Sequence, residues 1–135
     1  MEFLKRYQEQ IYAAMRIVVG FLFVSHGSQK VLTAFSGEIP TQIPAALFYP
    51  AAVIEAVGGA LITLGLFTPW AAFICSGQMA VGYFIAHQPR GIIPLLNGGD
   101  MAVLFCWIFL LMAARGAGIW SLDSLRGAAS GGASD

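Results

Sequence analysis

Eight side chains able to carry charge, protons or strong hydrogen bonds stand within or beside apolar stretches: Arg16, His26 and Lys30 in the first, Glu55 in the second, Gln78 and His87 in the third, and Asn97 and Asp100 at the head of the fourth. A charged group near the centre of a bilayer costs about 2.5–3.5 kcal/mol even on the lenient insertion scale, so such groups turn towards the protein interior. Collected there, Lys30 and Arg16 supply positive charge, while His26, Glu55 and Asp100 orient a ligand or pass protons in a dry site.

Spacing sharpens the expectation. At about 100° per residue, Arg16, His26 and Lys30 fall with Gly20 and Gly27 within roughly one third of the first helix's circumference, whereas Ser25 and Gln29 point elsewhere. Glu55 lies about mid-way along the second stretch, with Ala51, Gly58, Gly59 and Gly65 broadly on its side. Small residues let a neighbouring backbone come close, so the stripe carrying Glu55 is also the best packing face. A lone carboxylate there needs a partner, and Arg16, with its long side chain, is the favoured one. Gln78 is expected at mid-depth, with His87, Asn97, Asp100 and Lys30 in a second polar layer at the outer end. His87 is nine residues beyond Gln78 and turns to nearly the opposite face of an ideal helix, so both join one site only where the helix ends or distorts.

A plainer reading stands beside each of these. Arg16 and Glu55 suit a buried ion pair that fixes helix register. Lys30 and Arg90 suit cations that snorkel to lipid headgroups. His26 suits a hydrogen-bonded core histidine, and two histidines at different depths do not make a haem or metal site. Asn97 suits a helix cap, with Asp100 favoured by the positive end of the helix that follows. Cys75 and Cys106 lack the C-x-x-C or His spacing of a zinc or redox site and read as small buried hydrophobes.

The elements that must position these groups follow from length and hydropathy. Spanning about 30 Å of hydrocarbon takes about 20 mostly apolar helical residues. Four stretches qualify: Ile11 to Phe35, Ala45 to Phe67, Trp70 to His87 and Leu95 to Ala114. Turn residues separate them: Pro40 and Pro44, then Thr68-Pro69, then Pro89-Arg90-Gly91 with Pro94. Such short links make neighbours antiparallel, and the expected fold is all-α, a four-transmembrane-helix antiparallel bundle. Its parts are a cytoplasmic segment over 1–10, the membrane domain over 11–123 and a flexible, small-residue cytoplasmic tail over 124–135.

Composition agrees. With 58% apolar and 10% charged residues in 135, the chain has too little polar surface to clothe a soluble domain of that size. A formal charge of zero with no basic cluster excludes the usual nucleic-acid partner. The first apolar run follows Lys5 and Arg6 as in a signal peptide, yet it is too long and lacks a small-residue cleavage site. Lys5, Arg6, Arg115 and Arg126 flank one side of the spans, which places both termini in the cytoplasm. Trp70 and Trp120 suit the inner interface and Tyr49 the outer one.

The succession of motifs is specific. Arg16-x3-Gly20, Ser25-His26-Gly27-Ser28-Gln29-Lys30, Glu55-Ala56-Val57-Gly58-Gly59, Leu64-Gly65-Leu66-Phe67-Thr68, Met79-Ala80-Val81-Gly82-Tyr83-Phe84 with His87, Asn97-Gly98-Gly99-Asp100 and Trp120-Ser121-Leu122-Asp123 follow one another in an order that resembles the DoxX family of small bacterial membrane proteins. The likeness runs from about Arg16 to Asp123. That family more often has Glu where Asp100 stands, a change that keeps the carboxylate and shortens its reach. The resemblance implies a multi-pass protein of the bacterial inner membrane whose relatives include the membrane subunit of thiosulfate:quinone oxidoreductase and partners of redox-stress enzymes. It carries family motif positions onto Arg16, His26, Gly27, Lys30, Glu55, Gly58, Gly59, His87, Asn97, Gly98, Gly99 and Asp100.

The function so implied is that of a membrane component of a quinone-linked or redox-protective oxidoreductase system, with a polar site for a small anion or a quinone headgroup. The expected surroundings are the lipid bilayer, a soluble or membrane oxidoreductase partner and a second copy of the chain. Quinone is the expected cofactor, none being bound covalently, and no metal is expected. The alternatives are a small-solute binding or transport protein and a structural assembly factor without chemistry.

Overall fold

A computed structural model describes residues 1–37 and 43–131, with side chains to residue 127. The described residues are all-helical and contain no strand. A short α1 (Glu2–Lys5) leads into α2 (Gln8–Ser36), and α3 (Ala45–Leu64) contains a π-helical turn over Ile54–Gly58. Next comes α4 (Thr68–Gly82), extended by a second π turn, Tyr83–His87, and a 3-10 turn, Gln88–Arg90. A four-residue α5 (Pro94–Asn97) precedes α6 (Asp100–Arg115), and α7 (Leu122–Gly131) follows. Two of these, α2 and α3, are long and apolar enough to cross a membrane.

The helices associate as two antiparallel pairs. Along α2 and α3, Arg16 meets Ile62 and Thr63, Gly20 meets Thr63, and Gly27 meets Glu55 and Ala56, so residue numbers rise on one helix as they fall on the other. Close approach depends on the missing side chains. A Cβ on Gly20 would lie 2.7 Å from the Thr63 backbone nitrogen, one on Gly59 2.6 Å from that of Val24, and one on Gly27 inside the backbone of Ala56. Of the small residues expected to pack, Gly20, Gly27 and Gly59 line this seam, whereas Gly58 faces Cys75 of α4 and Gly65 faces Ser121.

In the second pair, α4 runs against α6, with the Ser76 hydroxyl donating to the Cys106 carbonyl at 2.8 Å. Phe23 of α2 joins the pairs, with its ring 4.6 Å from that of Phe109 and 5.4 Å from that of Phe105. Ile62, Cys75 and Met112 complete this core without exposure. Outside it, Phe21, Phe73, Phe84, Leu104 and Trp107 are exposed, the inverse of a soluble protein's surface.

One end of the molecule is clasped by polar groups. Arg115 pairs with Glu9 and lies over the Tyr12 ring at 4.0 Å, and the Tyr12 hydroxyl donates to the Gly116 carbonyl at 2.6 Å. The Asp123 carboxylate accepts from the amides of Phe67 and Thr68 at 2.9 and 3.0 Å, satisfying the start of α4, while the Asp123 amide donates back to the Gly65 carbonyl. Phe67 and Trp120 are the two non-glycine residues with positive φ among those described, and both lie in this clasp.

Three sequence expectations change here. The apolar stretch from Leu95 is interrupted, because Gly98 takes a left-handed conformation that ends α5, and α6 restarts at Asp100. Asn97 does not cap α6, whose preceding residue is Gly99; its side chain accepts from the Gly99 amide and donates to the Gly91 carbonyl, holding the loop shut. The tail read as irregular contains the helix Leu122–Gly131, begun by the Ser121 hydroxyl accepting from the Ser124 amide. Pro40, expected to bracket the first connection, lies outside the described residues, as does the end of the chain after residue 131.

Candidate functional site

Glu55 is the centre of the buried polar chemistry. Its side chain is 1% exposed, on the π turn of α3, and faces both α2 and α4. One carboxylate oxygen, Oε1, receives the Lys30 ammonium from α2 and the Gln78 amide nitrogen from α4, the latter at 3.1 Å. The other, Oε2, is buried and has no hydrogen-bond partner among the described residues. A carboxylate out of water is held by charge-assisted hydrogen bonds, and this one is held on a single side.

The cation opposite Glu55 is Lys30, not Arg16. Register explains the correction: Glu55 lies against Gly27, three residues before Lys30, whereas Arg16 stands eleven residues the other way, roughly 16 Å along the helix and beyond a guanidinium's reach. Arg16 is fully buried and serves the clasp. Its Nη1 donates to the Ile62 and Thr63 carbonyls at 2.6 and 2.8 Å, and its Nη2 to the Trp120 carbonyl at 2.7 Å. It thus reinforces the C-terminal turn of α3, where the Ile62 carbonyl also accepts from the Gly65 amide. Gly65, at φ +67°, leaves room for Ser121 and for that guanidinium.

Two cavities adjoin the Lys30–Glu55–Gln78 cluster. The smaller, of about 200 Å³, is lined by His26, Lys30, Glu55 and His87 together with Phe23 and Phe105. The larger, of about 360 Å³, lies between α3 and α4; its walls are apolar except at Lys30, Gln78 and His87. Lys30, Met79, His87 and Ala102 line both.

His87 reaches this site because the second π turn inserts a residue into α4 and swings the helix end round. The distortion needed to bring it beside Gln78 is therefore present. Its Nδ1 lies 3.4 Å from the Asn97 carbonyl, which can only accept, so Nδ1 carries the proton in that contact. His26 stands edge-on to Phe105 with ring centroids 6.1 Å apart. Asp100 is exposed on the first turn of α6 and forms no ion pair among the described residues; of the expected second polar layer, His87 meets the Asn97 carbonyl and shares a cavity with Lys30, while Asp100 stays outside.

Among the described residues, Lys30, Glu55, Gln78, His26 and His87 thus come together. Arg16 and Asn97 serve structure instead, and Asp100 stays apart. No three His, Cys, Asp or Glu side chains among the described residues converge as a metal ion requires. Tyr12 and Asp123 escaped the sequence reading as positioning groups. The sequence signal for Asp123 was available: an acidic residue in the closing Trp-Ser-Leu-Asp, within reach of the backbone amides at the tight Phe67-Thr68 turn.

Helices throughout the described secondary structure, exposed apolar faces and a lysine paired with a buried carboxylate are those of a helical membrane protein. The chain belongs to the DoxX family, whose model matches residues 11–88. It is also 38% identical over 133 residues to a Haemophilus influenzae protein described as uncharacterized, a match covering 92% of this chain and 96% of that protein. No solved structure matches it. As a member of a membrane-protein family, it contacts the lipid bilayer.

Proposed function

We propose that the protein is the membrane component of a quinone-linked or redox-protective oxidoreductase system, and that the Lys30–Glu55–Gln78 cluster with His26 and His87 is its ligand site. The observation that carries the reading is the free Oε2 of Glu55. A purely structural ion pair is stabilised by satisfying both oxygens, whereas a carboxylate bonded on one edge, with its other oxygen buried and unpartnered among the described residues and two imidazoles lining the cavity it adjoins, suits proton exchange. Lys30 holds the carboxylate in place, Gln78 fixes its rotation, and His26 and His87 offer the next stations for a proton.

In this reading α2, α3, α4 with its π extension, and α6 are four spans of a bacterial inner membrane, and both termini are cytoplasmic. Lys5, Arg6, Arg115 and Arg126 support that orientation, since basic residues near short loops are retained inside. The chain has no cofactor-binding motif of its own for carrying electrons, so an oxidoreductase partner donates them and a quinone in the bilayer accepts them. Two copies of the chain in one assembly also suit the reading.

Membranes containing the protein and its partner should reduce quinone, and Glu55→Gln, which keeps the shape of the side chain and removes its proton chemistry, should lower that rate at least tenfold. Solute uptake without quinone turnover, or a variant that loses stability alone, would refute the proposal.

A further inference from the structure

The larger cavity is a cleft open on the outward side of the bundle, since Leu47, Ile74, Gly77, Val81 and Ile85 of its lining are all exposed. Its walls are apolar except at Lys30, Gln78 and His87, and of these Lys30 and His87 also line the smaller cavity beside His26 and Glu55. An apolar cleft therefore abuts a polar chamber. That form suits a molecule with one apolar chain and one polar head, and 360 Å³ is within the range of small-molecule sites.

Two glycines of α4 account for the width of the cleft. Gly77 and Gly82 both line it, neither has a positive φ, and a Cβ on either would meet nothing within 4 Å. They differ in this from Gly20, Gly27 and Gly59, whose missing Cβ lets another backbone approach. Glycine inside a helix is unfavourable beside alanine, and here neither turn geometry nor helix packing calls for it. What the two residues provide is open space along the cleft wall.

We infer that this cleft holds the apolar chain of a lipid-soluble quinone that enters sideways from the bilayer between α3 and α4, with Gly77 and Gly82 as the residues that admit the chain. Lys30 places the head. Its ammonium has more N–H donors than the one it gives to Glu55, and its side chain is 33% exposed, so it suits a head that accepts hydrogen bonds, as quinone carbonyls do. That the head is a quinone rests on the proposed function; that the cleft takes a chain rests on its apolar walls and the two glycines.

A photoreactive analogue tests this: a fully substituted para-benzoquinone with a decyl chain ending in a diazirine, irradiated with the full-length protein in lipid nanodiscs and mapped by peptide mass spectrometry. In the wild type the label should concentrate on cleft side chains such as Leu47, Ile54 and Ile74, and excess unlabelled decyl quinone should suppress it. Gly77→Leu and Gly82→Leu, which build into the cleft, should each cut the labelling there about tenfold.

Label spread as densely over outward side chains such as Phe21 and Trp107, label that excess quinone does not suppress, or label that persists in both leucine variants would overturn the inference. The first two outcomes are read on the wild type, so they decide even where a variant fails to fold, and a cleft filled only by bulk phospholipid chains gives the second. Glu55-dependent quinone reduction with an unlabelled cleft would remove the chain site and leave the proposed function standing. Suppressible cleft labelling in membranes without quinone turnover would do the reverse.

Discussion

Two inward-facing cations of α2, Arg16 buried and Lys30 partly so, do different work, and the difference comes from what faces each. Lys30 meets a carboxylate; Arg16 meets only carbonyls. Removing Lys30 leaves Glu55 almost wholly buried with one amide donor, so Lys30→Ala should destabilise the protein by about 2 kcal/mol, allowing for the partial exposure of Lys30. Adding Glu55→Gln should recover part of the loss, and a double-mutant cycle read by thermal unfolding in detergent checks the coupling. Arg16→Lys should cost about 3 kcal/mol although charge is kept, because one ammonium cannot span the carbonyls of Ile62, Thr63 and Trp120 as the planar fork does. At this scale insertion energetics alone demand that Glu55 turn inward, and it is buried, whereas His26 and Asp100, expected to do the same, are exposed. The sequence did not disclose the pairing, because two cations share a helix face and helical periodicity is blind to the register of the opposing helix.

Among the elements, two π turns carry the site: one bears Glu55 and the other ends at His87. The nine-residue spacing of Gln78 and His87 announced that α4 must distort for both to meet. Nothing comparable marked Ile54–Gly58, where hydrophobic spacing continues across the inserted residue. The glycine seam was legible, because small residues recur at helical spacing on both partners. Its energetic consequence is testable: Gly27→Ala places a methyl inside the Ala56 backbone and should cost about 1–3 kcal/mol, whereas Gly77→Ala on α4, where a Cβ meets nothing within 4 Å, should be neutral or stabilising by about 0.5–1 kcal/mol. Thermal unfolding of the two variants side by side gives the comparison. The helix after Trp120 was hidden, because small residues and glycines obscure a segment whose start depends on a distant partner, the amides of Phe67 and Thr68 accepted by Asp123. Asp123→Ala should cost about 1 kcal/mol by uncapping α4.

For the molecule as a whole, the clasp that ties Glu9, Tyr12 and Arg16 to Arg115, Trp120 and Asp123 gathers the start of α2, the α3–α4 turn and the end of α6 at one end. His87, Arg90 and Asn97 lie at the ends of the helices directed away from it. The proposed topology puts the clasp in the cytoplasm. With Cys75 and Cys106 replaced by Ser, a membrane-impermeant maleimide should label Arg90→Cys in intact cells and Arg6→Cys only after permeabilisation. All-α character and membrane residence were legible from composition, whereas the break before α6 depended on the left-handed turn at Gly98. The central question is whether the cavity beside the Lys30–Glu55–Gln78 cluster holds a ligand. Native mass spectrometry of the gently purified protein measures this most directly, comparing the wild type with a Glu55→Gln variant shown to unfold at a similar temperature. The wild type should carry a bound quinone, quinol or small anion that the variant lacks; identical, ligand-free spectra for both would contradict it.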